Sequence, residues 1–367
     1  MNPHTNKLAL ATALLAASGI SHAQGLALEE VLVTATKREA SLQDVSVAVT
    51  ALSAEDLGLA QITSSEDLTF LVPALNLQKG SNPRQTSFSI RGIGTQSFSS
   101  AVEPSVSTMV DGVVMGRSGQ AFMQLLDVQR VEVLRGPQGT LFGKNATGGV
   151  VHIITQNPTD TTTGEISVTA ITHDEYRGGL TVSGPLTDTL GYRLSANGKD
   201  VADYTQNEFD GNKLDGNEEW SVRGKLRWLP AENLEFKWAS DKSDRSCDCT
   251  TSPLRSIDPF GGNEEQVAEI LDRISPVVPG DENTQVNINK LNFSDAENSG
   301  HSLEVNWDIG EFTLTSVSAL REFEVNGFGD IDSQPIDLLG FDQFGSSQTE
   351  QFTQELRLLS PIGERFS

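Results

Sequence analysis

The sequence predicts an α+β domain followed by antiparallel strands of a transmembrane β-barrel, and three observations carry that prediction. Residues 29–158 mix helix starts, β-branched runs and glycine clusters, whereas the chain after Pro158 turns to strict apolar–polar alternation. Period-two alternation places apolar side chains on one face of a sheet and polar ones on the other. The alternating segments are about 9–11 residues long, the length a tilted strand needs to cross a bilayer. No run of about 18 apolar residues occurs, which excludes an ordinary transmembrane helix.

The 367 residues suffice for two domains and a sizeable core. Lys and Arg total 26 against 50 Asp and Glu, a formal net charge of -24 that repels phosphate backbones and argues against a nucleic-acid partner. An apolar fraction of 37% with 33 glycines argues against wholesale disorder. Two cysteines, Cys247 and Cys249, make neither a disulfide framework nor a four-cysteine zinc site.

Residues 1–23 have the parts of a secretory signal: a short basic start at Lys7, an apolar stretch from Leu8 to Ile20, and small residues at Ser21 and Ala23 for cleavage before Gln24. An extended segment follows at 24–40, then a unit over 41–158. In that unit Val45–Leu52 reads as an apolar β-branched run. Ser53-Ala54-Glu55-Asp56 reads as a helix start, and Ser64-Ser65-Glu66-Asp67 opens a second short helix that Pro73 stops. Strands are expected at Ser87–Arg91, Ser105–Val114, Val128–Arg135 and Gly149–Thr155, separated by glycine clusters.

Residues 159–367 carry the alternation, for example Ile166/Val168/Ala170, Trp220/Val222/Gly224/Leu226/Trp228 and Leu303/Val305/Trp307/Ile309. Any half-buried antiparallel sheet alternates in this way. A membrane barrel is favoured by strand length, by Tyr and Trp near segment ends (Tyr192, Trp220, Trp228, Trp238, Trp307), and by connections that alternate between short and long. The short ones are Gly184–Thr189, Leu229–Asn233, Ile309–Glu311 and Ser360–Glu364; the long ones are Asp200–Asn217, Asp241–Gly300 and Val325–Gln348. The first outer loop, His173–Tyr176, is short. Residues 241–301 hold 12 acidic and 5 basic residues, so the long loops carry much of the net charge.

Over nearly all of 29–158 the sequence resembles the TonB-dependent outer-membrane receptor family. Glu30-Val31-Leu32-Val33-Thr34-Ala35 resembles the family's TonB box. Leu68–Leu75, Ser89-Ile90-Arg91-Gly92 and Val110-Asp111-Gly112-Val113 resemble plug segments, and Val131–Thr155 is close to the family's most characteristic stretch. Gln354–Pro361 resembles one of its barrel strands. The resemblance implies a plug inside a barrel of about 22 strands. Seven strands can be placed from Gly164 onward, with an eighth beginning near Arg365, so the barrel is incomplete and the sequence is expected to be a fragment or a truncated reading frame.

The resemblance further implies energy-coupled uptake of a scarce ligand, with TonB and its inner-membrane energising proteins as partners. The lipid and lipopolysaccharide of the bacterial outer membrane would surround the barrel. The ligand would be a small molecule such as a metal chelate, a ferric siderophore first. The alternative is a non-transporting periplasmic plug-domain binding module or a truncated remnant. An extended Glu30–Ala35 segment can add as a strand to a partner's sheet edge. Arg91, Gly92, Asp111, Gly112, Arg130, Glu132, Arg135, Gly136, Gly143, Gly148 and Gly149 match the plug pattern. In the family the charges Arg91, Arg130, Glu132 and Arg135 pair with the barrel wall; by themselves they read equally well as surface ion pairs. Arg84, Gln85, Gln96 and Phe98 are candidates for meeting the ligand.

No catalytic residue, cofactor site or metal site is expected. Gln138 and Asn145 break a phosphate-binding loop at Gly143-Lys144, and Ser97 breaks a dinucleotide fingerprint after Gly92. The five histidines are scattered. Asp210–Glu219 resembles a calcium loop in composition only, since Leu214 and Asp215 stand where an oxygen ligand and a glycine are needed. Cys247 and Cys249 could form a tight local disulfide in an oxidising compartment or remain two thiols.

Overall fold

The computed structural model describes residues 32–34, 36–38, 40–78, 86–95, 102–172, 174–248, 253–258, 263–330, 332–338 and 343–361. The signal-like residues 1–23, and the strand expected near Arg365, lie outside them.

The N-terminal unit opens with a small antiparallel ladder of β1 (Leu32–Val33) and β2 (Ala40–Ser41). Next come β3 (Val49–Ser53) and helix α1 (Ala54–Leu59). The helix starts where the Ser53–Asp56 pair predicts: Asp56 N–H donates to Ser53 Oγ at 3.1 Å and Ser53 N–H donates to Asp56 Oδ2 at 2.9 Å, closing a capping box. The second helix, α2 (Leu68–Leu71), begins later than Ser64. The Asp67 carboxylate accepts the Thr63 and Ser64 N–H groups at 3.1 and 2.9 Å, so residues 63–67 form a turn that delivers the chain into the helix.

The small ladder β4 (Leu75–Gln78), β5 (Ser87–Ile90) and β6 (Ile93–Gly94) is followed by β7 (Val106–Val110), β8 (Val113–Met115), β9 (Val128–Arg135), α3 (Gly139–Phe142) and β10 (Gly149–Thr155). The run expected as one strand over Ser105–Val114 is a hairpin. Asp111 and Gly112 take φ of 47° and 82°, the two left-handed residues a tight hairpin turn requires. The main sheet is ordered β3-β9-β10-β7-β8, with only β10 and β7 parallel. Its inner strands β10 and β7 are buried on both faces. Val131, Val133, Val151 and Ile153 pack with Leu57, Leu68, Phe88 and Ile90, while Leu134 and Val150 pack with Val33, Met109 and Phe142. Gly149 makes this packing possible, because a Cβ there would collide with the Leu134 carbonyl oxygen.

The second region is an eight-stranded antiparallel sheet. Its strands are β11 (Thr163–Ile171), β12 (Glu175–Thr187), β13 (Leu190–Val201), β16 (Asn217–Ala231), β17 (Leu234–Cys247), β19 (Phe293–Ile309), β20 (Phe312–Gly329) and β21 (Gln343–Leu359). Every neighbour in sequence is a neighbour in space, and β11 and β21 stand at the two edges. Eight strands are thus complete by Leu359, where the alternation suggested seven. Three connections shrink to two residues, at 188–189, 232–233 and 310–311.

At the opposite end the strands run past the apolar alternation. Asp241–Cys247 pairs residue by residue with Ser294–Gly300, and β21 continues the ladder out to Gly329 of β20, so strands reach 17 or 18 residues and absorb part of the expected long loops. The physical reason is that apolar alternation marks lipid contact, whereas a backbone ladder continues for as long as two chains can pair. Within the remaining loops β14 (Thr205–Asn207), β15 (Lys213–Leu214) and β18 (Gln285–Val286) form a small separate sheet over buried Leu214, Val286 and Ile288. Helix α4 (Glu264–Ile274) lies beside them in sequence.

The large sheet has its apolar side chains on the outside. Ile166 is 78% exposed and Leu356 68%, with Leu194, Trp220, Trp307 and Phe352 on the same face. Ser183, Ser195, Ser221, Lys225, Asn298 and Arg321 are buried on the other face. Apolar outside and polar inside is the pattern of a barrel wall facing lipid, and we call this sheet the wall.

Candidate functional site

The chemistry of the molecule concentrates where the N-terminal unit meets the polar face of the wall. Leu32, Val33 and Thr34 are the described residues of the segment Glu30–Ala35; Glu30, Val31 and Ala35 lie outside the description. Val33 is fully buried against Met109, Leu134 and Phe142. Thr34 N–H donates to both oxygens of Glu132 at 2.9 and 3.1 Å, and its hydroxyl reaches the same carboxylate at 3.2 Å. Glu132 is itself fully buried and paired to Arg130 Nε at 2.8 Å. A carboxylate so placed accepts bonds that no apolar residue could replace.

The hairpin turn between β7 and β8 supplies a second anchor. Asp111 accepts Thr155 N–H at 2.8 Å and Thr155 Oγ1–H at 2.6 Å, and pairs with Lys225 of the wall at 2.9 Å. Burial alone would raise the Asp111 pKa, but the Lys225 and Arg223 charges outweigh it and bring the group down to about 2. Next to it, Gly112 N–H donates to His152 Nε2 at 3.2 Å, leaving Nδ1 without a hydrogen-bond partner among the described residues. Burial among strands pulls the His152 pKa down to about 4, against the opposing pull of Glu132.

Further ties join the unit to the wall, among them Gln124 to Glu219, Arg223 to Leu126 O at 3.1 Å and Gln351 to Val114 O at 2.8 Å. Arg193 and Ser195 of β13 both donate to the Asp127 carboxylate. Arg245 of β17 pairs with Glu66 at 3.2 Å, and Arg177 of β12 donates to Thr63 Oγ1 at 2.8 Å. Lys37 pairs with Glu355 of β21 at 3.0 Å. The interface is therefore held by ion pairs and hydrogen bonds, with a small apolar patch where Val113 meets Val317 and Ala319. Beside Lys37, Asp111, Arg130 and His152 a cavity of about 370 Å³ separates the unit from the wall.

The residues expected to pair with the wall divide differently. Arg130 and Glu132 pair with each other, Arg91 is exposed at a turn, and Arg135 ends β9; none of the four bonds a described wall side chain. Asp111 does. Lys37, Glu66 and Asp127, which no motif marks, carry the other ion pairs. Gly92, Gly136 and Gly143 sit at turns with positive φ, and Gly148 lies against Ile93. Arg84, Gln85, Gln96 and Phe98 lie outside the described residues. Cys247 is disulfide-bonded, and Cys249 lies outside the description. Among the described residues no group of three or more His, Cys, Asp or Glu side chains could hold a metal ion.

Residues 41–150 match the model of the TonB-dependent receptor plug domain. Residues 41–150 belong to the TonB-dependent receptor plug-domain family. The chain is 41% identical over 191 residues to the pesticin receptor of Yersinia pestis, covering 50% of itself and 27% of that protein. It is 31% identical over 242 residues to the ferric enterobactin receptor PirA of Pseudomonas aeruginosa, covering 55% of itself and 32% of the relative. Its fold matches the crystal structure of the ferric yersiniabactin uptake receptor FyuA from Yersinia pestis with a TM-score of 0.70 at 24% identity, over 87% of this chain and 46% of that one. The chain thus spans about a third or less of these curated relatives, and under half of the solved chain. Its N-terminal unit is a plug domain, its wall lies within a chain that shares the fold of that uptake receptor, and the relatives it matches are named as receptors.

Proposed function

We propose that the chain supplies the plug and adjoining wall of a receptor that takes up a scarce ligand by energy-coupled transport across the outer membrane, with a ferric siderophore as the ligand. The observation that carries this reading is the character of the plug–wall interface. A plug fixed for good would be cemented by an apolar core. This one is held by separate ion pairs and hydrogen bonds around a cavity, and such ties can be exchanged for water as the plug shifts.

In this reading residues 24–40 contain the segment the partner pulls, 41–158 form the plug, and the residues from 159 onward form wall. Glu30–Ala35 serves as the TonB box: it precedes the plug, its described part pairs only with the short strand β2 over two residues, and an extended strand of this kind suits a partner's sheet edge. Arg84, Gln85, Gln96 and Phe98 are the residues proposed to meet the ligand. A siderophore is favoured because relatives carry the names of ferric yersiniabactin and ferric enterobactin receptors.

The test is uptake of radioactive iron as ferric yersiniabactin or ferric enterobactin by cells lacking their own receptors and expressing this one. Uptake that disappears on deletion of residues 30–35, or when the proton gradient is collapsed, is the expected result. Binding of either chelate without uptake would point to the non-transporting binding module instead.

A further inference from the structure

The chamber of about 370 Å³ between plug and wall has Thr313 and Leu359 in its lining, at the end of the wall where the two-residue turns lie. Most ion pairs around it close evenly. Arg130 is held by Glu132 and Lys225 by Asp111, while Arg227 and Lys237 share Glu235 and Glu304. The balance fails on one side. Lys37 Nζ lies 3.0 Å from Glu355 Oε2 and Arg357 Nε lies 3.2 Å from Glu355 Oε1, so one carboxylate serves two cations. Arg38 adds a third cation to the same lining and forms no ion pair or hydrogen bond with a described residue.

The excess of positive charge shows in the bonding as well. Arg357 Nε is buried, yet its N–H makes no hydrogen bond to Glu355 or to any other described residue. Burial lowers the Lys37 pKa, Glu355 raises it, and the neighbouring Arg357 charge lowers it again. His152 belongs to the same lining. Its Nε2 accepts the Gly112 N–H, so the proton sits on Nδ1, which is buried and has no partner among the described residues. A buried N–H without an acceptor and a cation without a counter-charge each cost free energy that an anion in the chamber would restore.

Three features define that anion. Among the described residues Lys37, Arg38 and Arg357 meet one carboxylate, so the anion carries two negative charges. Guanidinium groups present planar N–H forks, which match the oxygens of an oxyanion and not a halide. The chamber is many times the roughly 30 Å³ share of one water, so the anion enters with part of its hydration shell. We propose that the chamber binds a small doubly charged oxyanion, phosphate or a dicarboxylate, held between Arg38 of the plug and Arg357 of the wall. The anion is then a tie supplied from solution, and the hold of the wall on the plug rises with its concentration.

The test is isothermal titration calorimetry of the full receptor in detergent at pH 7. Sodium phosphate and sodium succinate are titrated separately, with chloride keeping the ionic strength constant. Saturable binding with a Kd of about 1 mM or tighter is expected for at least one of them, and the tighter one names the source. Arg38→Gln and Arg357→Gln are each expected to weaken it by about tenfold. Glu355→Gln removes the competing carboxylate and is expected to tighten it by about threefold, a gain that a misfolded receptor cannot give. Arg273→Gln, on helix α4 and paired with Glu269, is expected to bind as the parent does. Absence of saturable binding by both anions overturns the proposal, as does parent-strength binding in either chamber-arginine variant. Weaker binding in Glu355→Gln overturns it too, and so does an equal loss in Arg273→Gln, which is general attraction to surface charge. The titration uses neither an iron chelate nor an energised partner, so its failure is separate from a failure of the uptake reading.

Discussion

The plug sheet and the wall sheet use the same apolar residues in opposite ways. Strands β9 and β10 hide Val131, Val133, Val151 and Ile153 between two layers of the plug, while β13 and β16 turn Leu194, Trp220 and Val222 away from the protein. The plug therefore obeys the rule of a water-soluble domain, and the wall inverts it. Burial in this chain is decided by which solvent each face meets. Where the two regions touch, the described residues offer only the small apolar patch of Val113, Val317 and Ala319, and polar and charged pairs make the remaining ties.

The largest expected effect breaks the plug side of this comparison. Val151→Asp puts an unpaired carboxylate into the apolar cluster of Leu68, Phe88 and Ile90 and is expected to cost at least about 4 kcal/mol, seen as protease cleavage of the plug in the detergent-solubilised receptor. The matching change on the wall is Leu194→Arg, at an exposed position paired with Val182 and Gly224. On a water-facing strand it would be nearly neutral. Facing lipid it is expected to cost about 2–4 kcal/mol, measured as reduced folding into lipid vesicles. Neutrality there would mean that the wall does not face a bilayer.

A third prediction uses pH. Buried His152 titrates at about 4, below the ordinary value of 6.5, so between those values the unfolded chain binds the extra proton and the plug loses stability as pH falls. The loss is expected to reach about 2 kcal/mol by pH 5 and to level off below about 4. Comparing protease protection of the plug at pH 7 and pH 5 checks it, and His152→Gln should flatten the profile. The smallest effect is Ser53→Ala, which removes half of the α1 capping box and is expected to lower plug stability by about 1 kcal/mol in the same assay, with wall folding unchanged.

Features written in neighbouring residues were legible in the sequence. The Ser53–Asp56 cap and the antiparallel order of the wall each depend on a local pattern. The wall ladder beyond Asp241 was not legible, because backbone pairing leaves no mark on side-chain polarity once lipid contact ends. Nor was the start of α2, where Asp67 bonds back to Thr63 and Ser64 and holds the chain in a turn. The interface was the least legible part. Lys37 and Glu355 are 318 positions apart, and Arg193 and Asp127 are 66 apart. Each is an ordinary charged residue until the fold brings it to its partner. Arg91 and Arg135 show the converse, since resemblance marks them and no described wall residue receives them.

The ties between plug and wall begin on five different strands: β12 through Arg177, β13 through Arg193, β16 through Lys225, β17 through Arg245 and β21 through Glu355. Together they determine an angle. Turned about the barrel axis by the width of a single strand, the plug would lose every one of these pairings at once and face a neighbour of the wrong chemistry at most of them. The orientation of the plug is thereby encoded as a sequence of charges read around the circumference. A plug transplanted from another receptor would have to match that order as well as the diameter.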